Sequence, residues 1–128
     1  MLLSAEMRLA LALLSVLLLG AAKLPPRTQV DWKARTLSTV GAAAADLRAP
    51  GPDIARVAAA RLARERADER LRTASAALAG VPASDERLSK PLAEARARTT
   101  YSSDGSVEVE LRLPLATLEK ALGVEVQK

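Results

Sequence analysis

Along this chain, hydrophobic and polar residues alternate in three stretches and recur at three- and four-residue spacing in others. One unbroken apolar run stands near the N-terminus. That run is Leu9 to Leu19 (LALALLSVLLL), preceded by Arg8 and followed by Gly20-Ala21-Ala22. A short apolar stretch with a basic residue before it and small residues after it has the form of a secretory signal peptide, and it falls short of the roughly 20 residues that span a hydrocarbon core. Residues 1–22 are therefore expected to be a leader cleaved before Lys23, with an uncleaved membrane anchor as the rival reading. Glu6 sits awkwardly in the positive region, which makes Met7 an alternative initiator to Met1.

Residues 23–28 contain Pro25-Pro26 and no periodicity, and read as a tether. From Val30 the pattern has a period of two. Val30, Trp32, Ala34, Thr36, Ser38 and Val40 fall on one face, and Asp31, Lys33, Arg35 and Thr39 on the other, which predicts a half-buried strand with Trp32 in the core. Leu37 is out of phase. Gly41 is expected to end the strand, and residues 42–51 to form a loop.

Pro52 suits the first turn of a helix and Asp53 its positive end, so a long helix is predicted from Pro52 to Ala79, closed by Gly80. Its buried stripe reads Val57, Ala60, Ala63, Ala67, Leu71, Ala74 and Leu78. Ile54, Ala58 and Leu62 lie off that stripe, which makes the first half of the helix apolar on two sides and marks these three residues as a candidate partner surface. The remaining surface is charged, with Arg61–Glu65, Arg64–Asp68 and Asp68–Arg72 at the spacing of helix-surface ion pairs. Residues 81–92 read as a loop with one helical turn starting at Ser84.

Ala95 to Tyr101 and Val107 to Leu113 both alternate and flank Ser-Ser-Asp-Gly-Ser, the signal of a β-hairpin. A two-residue loop would set the apolar face of one strand against the polar face of the other. A three-residue loop, Ser103-Asp104-Gly105, instead pairs Tyr101 with Val107, Thr99 with Val109 and Ala97 with Leu111, sets Arg98 opposite Glu110, and puts Gly105 at a left-handed position. Pro114 ends the second strand, and Leu115, Leu118 and Leu122 mark a short helix stopped by Gly123. The expected fold is α+β: a small antiparallel sheet, made of the N-terminal strand plus the C-terminal hairpin, packed against one long helix and a short C-terminal helix. It forms a single domain over residues 29–123, with 124–128 as a tail, frayed or forming a last short strand.

Composition narrows the function classes. Apolar residues make up 49% of the 128, yet Trp32 and Tyr101 are the only aromatics, so alanine, leucine and valine must build the interior. Such a core buries little area per residue, which favours a partner subunit. With no cysteine and no histidine, the chain has no disulfide, no thiolate or imidazole metal site, and neither a thiol nucleophile nor the commonest general base. No phosphate-binding glycine loop or nucleophile elbow occurs, and Asp68–Glu69 and Glu108–Glu110 are not placed to face each other across a cleft as a glycosidase pair does. The reading is that of a non-enzyme without cofactor or metal.

Nineteen basic residues against fifteen acidic give a net charge of +4. Lys33, Arg35, Arg96, Arg98 and Arg112 are expected on the open sheet face as a candidate anion-binding surface, interrupted by Glu108 and Glu110. Export and the scarcity of aromatics for base stacking argue against nucleic acid.

The strand ending in Thr39-Val40-Gly41, the loop Leu47-Arg48-Ala49-Pro50, the Ala55-Arg56 helix with its later Arg72 and closing Gly80-Val81, and the hairpin Tyr101 to Val109 followed by Leu113-Pro114-Leu115 carry a resemblance. In this order they resemble a family of small bacterial envelope proteins, mostly lipoproteins, that includes the flagellar outer-membrane protein FlgP. The resemblance covers roughly residues 30–123. It implies location in the outer envelope and, for some members, multimeric structures linked to flagella. This chain departs from the family in lacking the lipid-bearing cysteine, in the Arg- and Ala-rich helix, and in a short segment between helix and hairpin. The expected function is a non-catalytic, exported periplasmic or outer-envelope module that self-associates or binds a protein partner. The alternative is a basic peripheral binder of anionic phospholipid or surface polymer.

Overall fold

The computed structural model describes residues 24–48 and 51–128. The expected leader over 1–22, together with Lys23, Ala49 and Pro50, lies outside the described residues. Among those described, the chain runs β1 (Thr28–Asp31), β2 (Thr36–Ala44), α1 (Pro52–Ala79), a 3-10 turn (Glu86–Leu88), α2 (Ser89–Ala93), β3 (Arg96–Tyr101), β4 (Ser106–Pro114) and α3 (Leu115–Leu122). The four strands form one antiparallel sheet in the order β1-β2-β4-β3. The long helix α1 packs on one face over β2 and β4. The fold is α+β, as the patterning predicts.

The N-terminal strand is the main correction, because it is a hairpin and not one strand. Asp31 Oδ1 accepts the Ala34 N–H at 3.0 Å and Arg35 takes a left-handed φ of 53°, so the chain reverses between β1 and β2. That reversal resets the phase. Leu37, Thr39, Gly41 and Ala43 point inward, while Thr36, Ser38 and Val40 face out. Leu37 is therefore central to the core, and Trp32 packs half-buried against the core from the turn. Gly41 does not end the strand. A Cβ there would overlap the Ala63 carbonyl oxygen and the Ala67 amide nitrogen, so glycine is what lets α1 lie directly on β2.

Helix α1 has the predicted bounds, with Pro52 at its start and Gly80 closing it at φ 71°. Its buried stripe holds at Ala63, Ala67, Leu71 and Ala74 and fails toward the N-terminus. Ala59 is buried there, Ala60 is half-buried and Val57 is 60% exposed. Val57 lies six residues before Ala63, about 120° round the helix, on a flank that the sheet does not reach. Leu78 is likewise only half-buried.

The predicted single turn begins one residue late, where the Asp85 side chain accepts the Arg87 N–H at 2.9 Å. The structure then continues as α2, which buries Pro91. Pro91 is tolerated because it falls in the first turn, where a missing N–H leaves no helix hydrogen bond unmade. The β3–β4 hairpin has the predicted register, with Ala97 opposite Leu111, Thr99 opposite Val109, Tyr101 opposite Val107 and Arg98 opposite Glu110, and Gly105 at φ 92°. Leu71, Leu88, Leu115, Leu118 and Leu122 close the core beyond the sheet. The tail is not frayed at Val126. That residue is buried, its N–H donates to Glu119 Oε2 at 3.0 Å and its carbonyl accepts from Arg35 at 3.2 Å.

Candidate interaction surface

Among the described residues no group of three or more carboxylate, imidazole or thiol side chains is placed to hold a metal ion, and no helix is long and apolar enough to cross a membrane.

Ile54, Ala58 and Leu62 are exposed on the first half of α1. Ile54 is 75% and Leu62 41% accessible, and Val57 joins them at 60%. Val57 belongs to the periodic stripe yet is exposed, because periodicity does not mark where the sheet beneath the helix stops.

The five cations expected on one sheet face do not stay together. Lys33 is exposed in the β1–β2 turn. Arg35 leaves the face, and its guanidinium lies 2.7 Å from Glu119 Oε1 on α3 and reaches the Val126 carbonyl. The Glu119 carboxylate is held below its ordinary pKa, chiefly by the Arg35 hydrogen bond and then by the Val126 N–H. Arg96, Arg98 and Arg112 do gather, since Arg96 faces Arg112 and Arg98 faces Glu110 across β3 and β4. Arg112, however, pairs with Glu110 at 2.7 Å.

The arginines of α1 behave differently from the expected surface pairing. Of the three predicted pairs only Arg64–Asp68 forms, at 3.1 Å. Arg72 instead donates to the Ala83 carbonyl at 2.6 Å, the Asp85 carbonyl at 3.3 Å and Ser89 Oγ at 3.0 Å, tying the 81–89 segment to the helix. In that segment Asp85 is lowered to about 2 by its hydrogen bonds from Arg87.

Arg66 and Arg70 act on the sheet edge. The short β1 pairs only with Thr36–Thr39, so the backbone of β2 beyond it lacks a strand partner on that side. Arg70 donates to the Val40 carbonyl and Arg66 to the Ala42 carbonyl at 2.6 Å, while Val40 N–H donates to the Arg27 carbonyl at 3.2 Å. Arg27 in turn pairs with Glu108 at 2.9 Å, an interaction that lowers the carboxylate's pKa and raises that of the guanidinium. Leu24, Pro25 and Pro26 line a cleft of about 460 Å³ together with Arg66, Glu69, Arg70 and Thr73, so the expected tether borders the domain. No carboxylate on α1 signalled these struts, because their acceptors are backbone carbonyls far away in sequence.

The opposite edge is uncovered among the described residues. All six residues of β3 are exposed, although Ala97, Thr99 and Tyr101 share the sheet face on which Leu111, Val109 and Val107 are buried. A second cleft, about 660 Å³, lies between α2 and α3, where Pro91, Ala116 and Ala121 lie among residues of both charges, a lining that favours no one ligand. Compared with family models, with characterised proteins and with solved structures, the chain shows no significant match.

Proposed function

We propose that this chain is an exported, non-catalytic interaction module of the cell envelope that associates with itself or with an envelope protein. The observation that carries the reading is the exposed apolar half of α1, where Ile54, Val57, Ala58 and Leu62 stand in solvent. Contiguous apolar surface of this kind loses its unfavourable hydration when a partner covers it. The leader-like run Leu9 to Leu19 supports the envelope location, and so does the resemblance to small envelope proteins.

Light scattering and chemical cross-linking of the full chain test the interaction. The wild type is expected to be recovered as a multiple of the single-chain mass or cross-linked to an envelope protein. An Ile54→Asp/Leu62→Asp variant should lose that association with its thermal melt unchanged. A single-copy mass at high concentration with no cross-linked partner would overturn the reading. Intact mass of the protein recovered from the envelope fraction tests export, with Lys23 as the expected first residue.

The rival reading, a basic binder of anionic phospholipid or surface polymer, rests on Arg96, Arg98 and Arg112. Arg35 and Arg112 are already engaged by carboxylates, which leaves that face a smaller uncompensated charge. Vesicle binding that disappears between low and physiological salt would favour it, while a salt-insensitive assembly favours the apolar interface.

A further inference from the structure

We propose that a second copy of this chain adds to the sheet at β3, antiparallel, in the register that sets Thr99 of one copy opposite Thr99 of the other. The proposal deepens the interaction-module reading and rests on it.

The backbone of β3 fixes which groups are free. Ser102 N–H donates to the Ser106 carbonyl at 2.9 Å, and in an antiparallel ladder such pairs alternate, so Thr100, Arg98 and Arg96 direct their N–H and C=O toward β4. Ala97, Thr99 and Tyr101 direct theirs away from the sheet. These three donors and three acceptors lie on a strand exposed along its whole length. A strand with no proline and a full row of unpaired backbone groups is a template for another strand.

Side chains choose both the occupant and the register. Centring the two-fold pair on Thr99 puts Ala97 of each copy opposite Tyr101 of the other, a small residue beside the 57%-exposed aromatic, and uses all three outward residues in hydrogen-bonded pairs. On the other face it sets Arg98 against Thr100 and Arg96 against Ser102, so every arginine meets a hydroxyl. Centring on Arg98 would bring two guanidiniums together, a destabilising like-charge pair. Centring on Thr100 would move Ala97 against the turn residue Ser103 and leave fewer strand pairs. The two arginines that would otherwise guard the edge thus exclude a neighbouring register and permit one. The second copy is favoured over an unrelated strand because the complementarity is with the strand's own sequence.

The chain lacks cysteine, so a single introduced thiol can form no disulfide within one copy, and a species of twice the single-chain mass reports a link between copies. Directly opposed residues of a hydrogen-bonded pair stand about 5.5 Å apart at Cα, within disulfide range. The full-length Thr99→Cys variant, oxidised in the cells that produce it and run without reductant, should migrate mostly at twice the single-chain mass. Gln29→Cys, on β1 at the other edge, should not. Thr99→Pro removes an N–H that points to solvent and so leaves the β3–β4 ladder intact, and Thr99→Arg opposes two cations in the dimer. Both should reduce the mass seen by light scattering to that of one chain, with circular dichroism unchanged. A wild type of single-copy mass together with no Thr99→Cys cross-link overturns the proposal. An assembly that survives both Thr99 substitutions and does not cross-link through Thr99→Cys also overturns it, while leaving the interaction-module reading standing on the α1 surface. A drop to a two-copy mass in Ile54→Asp/Leu62→Asp, with the Thr99→Cys link retained, supports it and assigns α1 to a further contact.

Discussion

The two edges of the sheet solve the same physical problem in opposite ways. An edge strand exposes backbone donors and acceptors that invite pairing, and proteins usually shorten, charge or cover it. On the β1 side all of these are used: β1 has four residues, and beyond its end Arg66 and Arg70 reach over from α1 to occupy the Ala42 and Val40 carbonyls. Arg27 and Glu108 brace the same side. On the β3 side six consecutive residues stand exposed with no strut above them. Helix α1 lies over β2 and β4, so its arginines reach one edge and not the other.

Substitutions can break or sharpen this contrast. The largest effect is expected at Gly41, where a side chain would drive α1 off β2 and carry the Arg66 and Arg70 struts with it. Gly41→Val should cost about 3 kcal/mol or more, read by urea or thermal unfolding. Next, Arg66→Ala/Arg70→Ala should cost about 1–3 kcal/mol in the same measurement, because two backbone acceptors lose charge-assisted hydrogen bonds. It should also create a second open edge. Light scattering is then expected to show larger, heterogeneous species where the wild type gives one.

A smaller effect concerns pH. Folding lowers the pKa of Glu119, so this residue stabilises the native chain above its ordinary value of 4.5, and the contribution disappears as pH falls through the folded value. Glu108 has the same sign through Arg27. Stability should therefore fall on acidification below about pH 4.5, and Glu119→Gln should flatten that limb of the profile because the amide takes up no proton in this range. Native-state hydrogen exchange should show the β1 end and the C-terminal tail loosening on the acid side. The smallest effect belongs to the exposed β3 edge: Thr99→Arg should leave single-chain stability within about 0.5 kcal/mol, since Thr99 is itself exposed. A larger loss would mean that β3 is held by contacts of its own, and the contrast between the edges would shrink.

Features that depend on neighbours in sequence were legible before the fold was known. Pro52, Asp53 and Gly80 bound α1 because capping and backbone φ preferences are local. The Ser103-Asp104-Gly105 loop and the matched patterns beside it settled the β3–β4 register for the same reason, and Leu115, Leu118 and Leu122 announced α3. Ile54, Ala58 and Leu62 could be set apart because they lie off the helix stripe, and their exposure comes from the fold. What the sequence left undecided depends on distance through space. The reversal after Asp31 turned one apparent strand into two and brought Leu37 inward. Gly41 is a strand terminator when read locally and a contact point for α1 once packed. Arg35, Arg66, Arg70 and Arg72 carry the same charge pattern whether they coat a surface or bind remote carbonyls and carboxylates, and only the placement of α1, α3 and the tail assigns them. Exposure of β3 was decided in the same way, because its alternating pattern predicts a covered face and the single long helix covers only the strands beneath it.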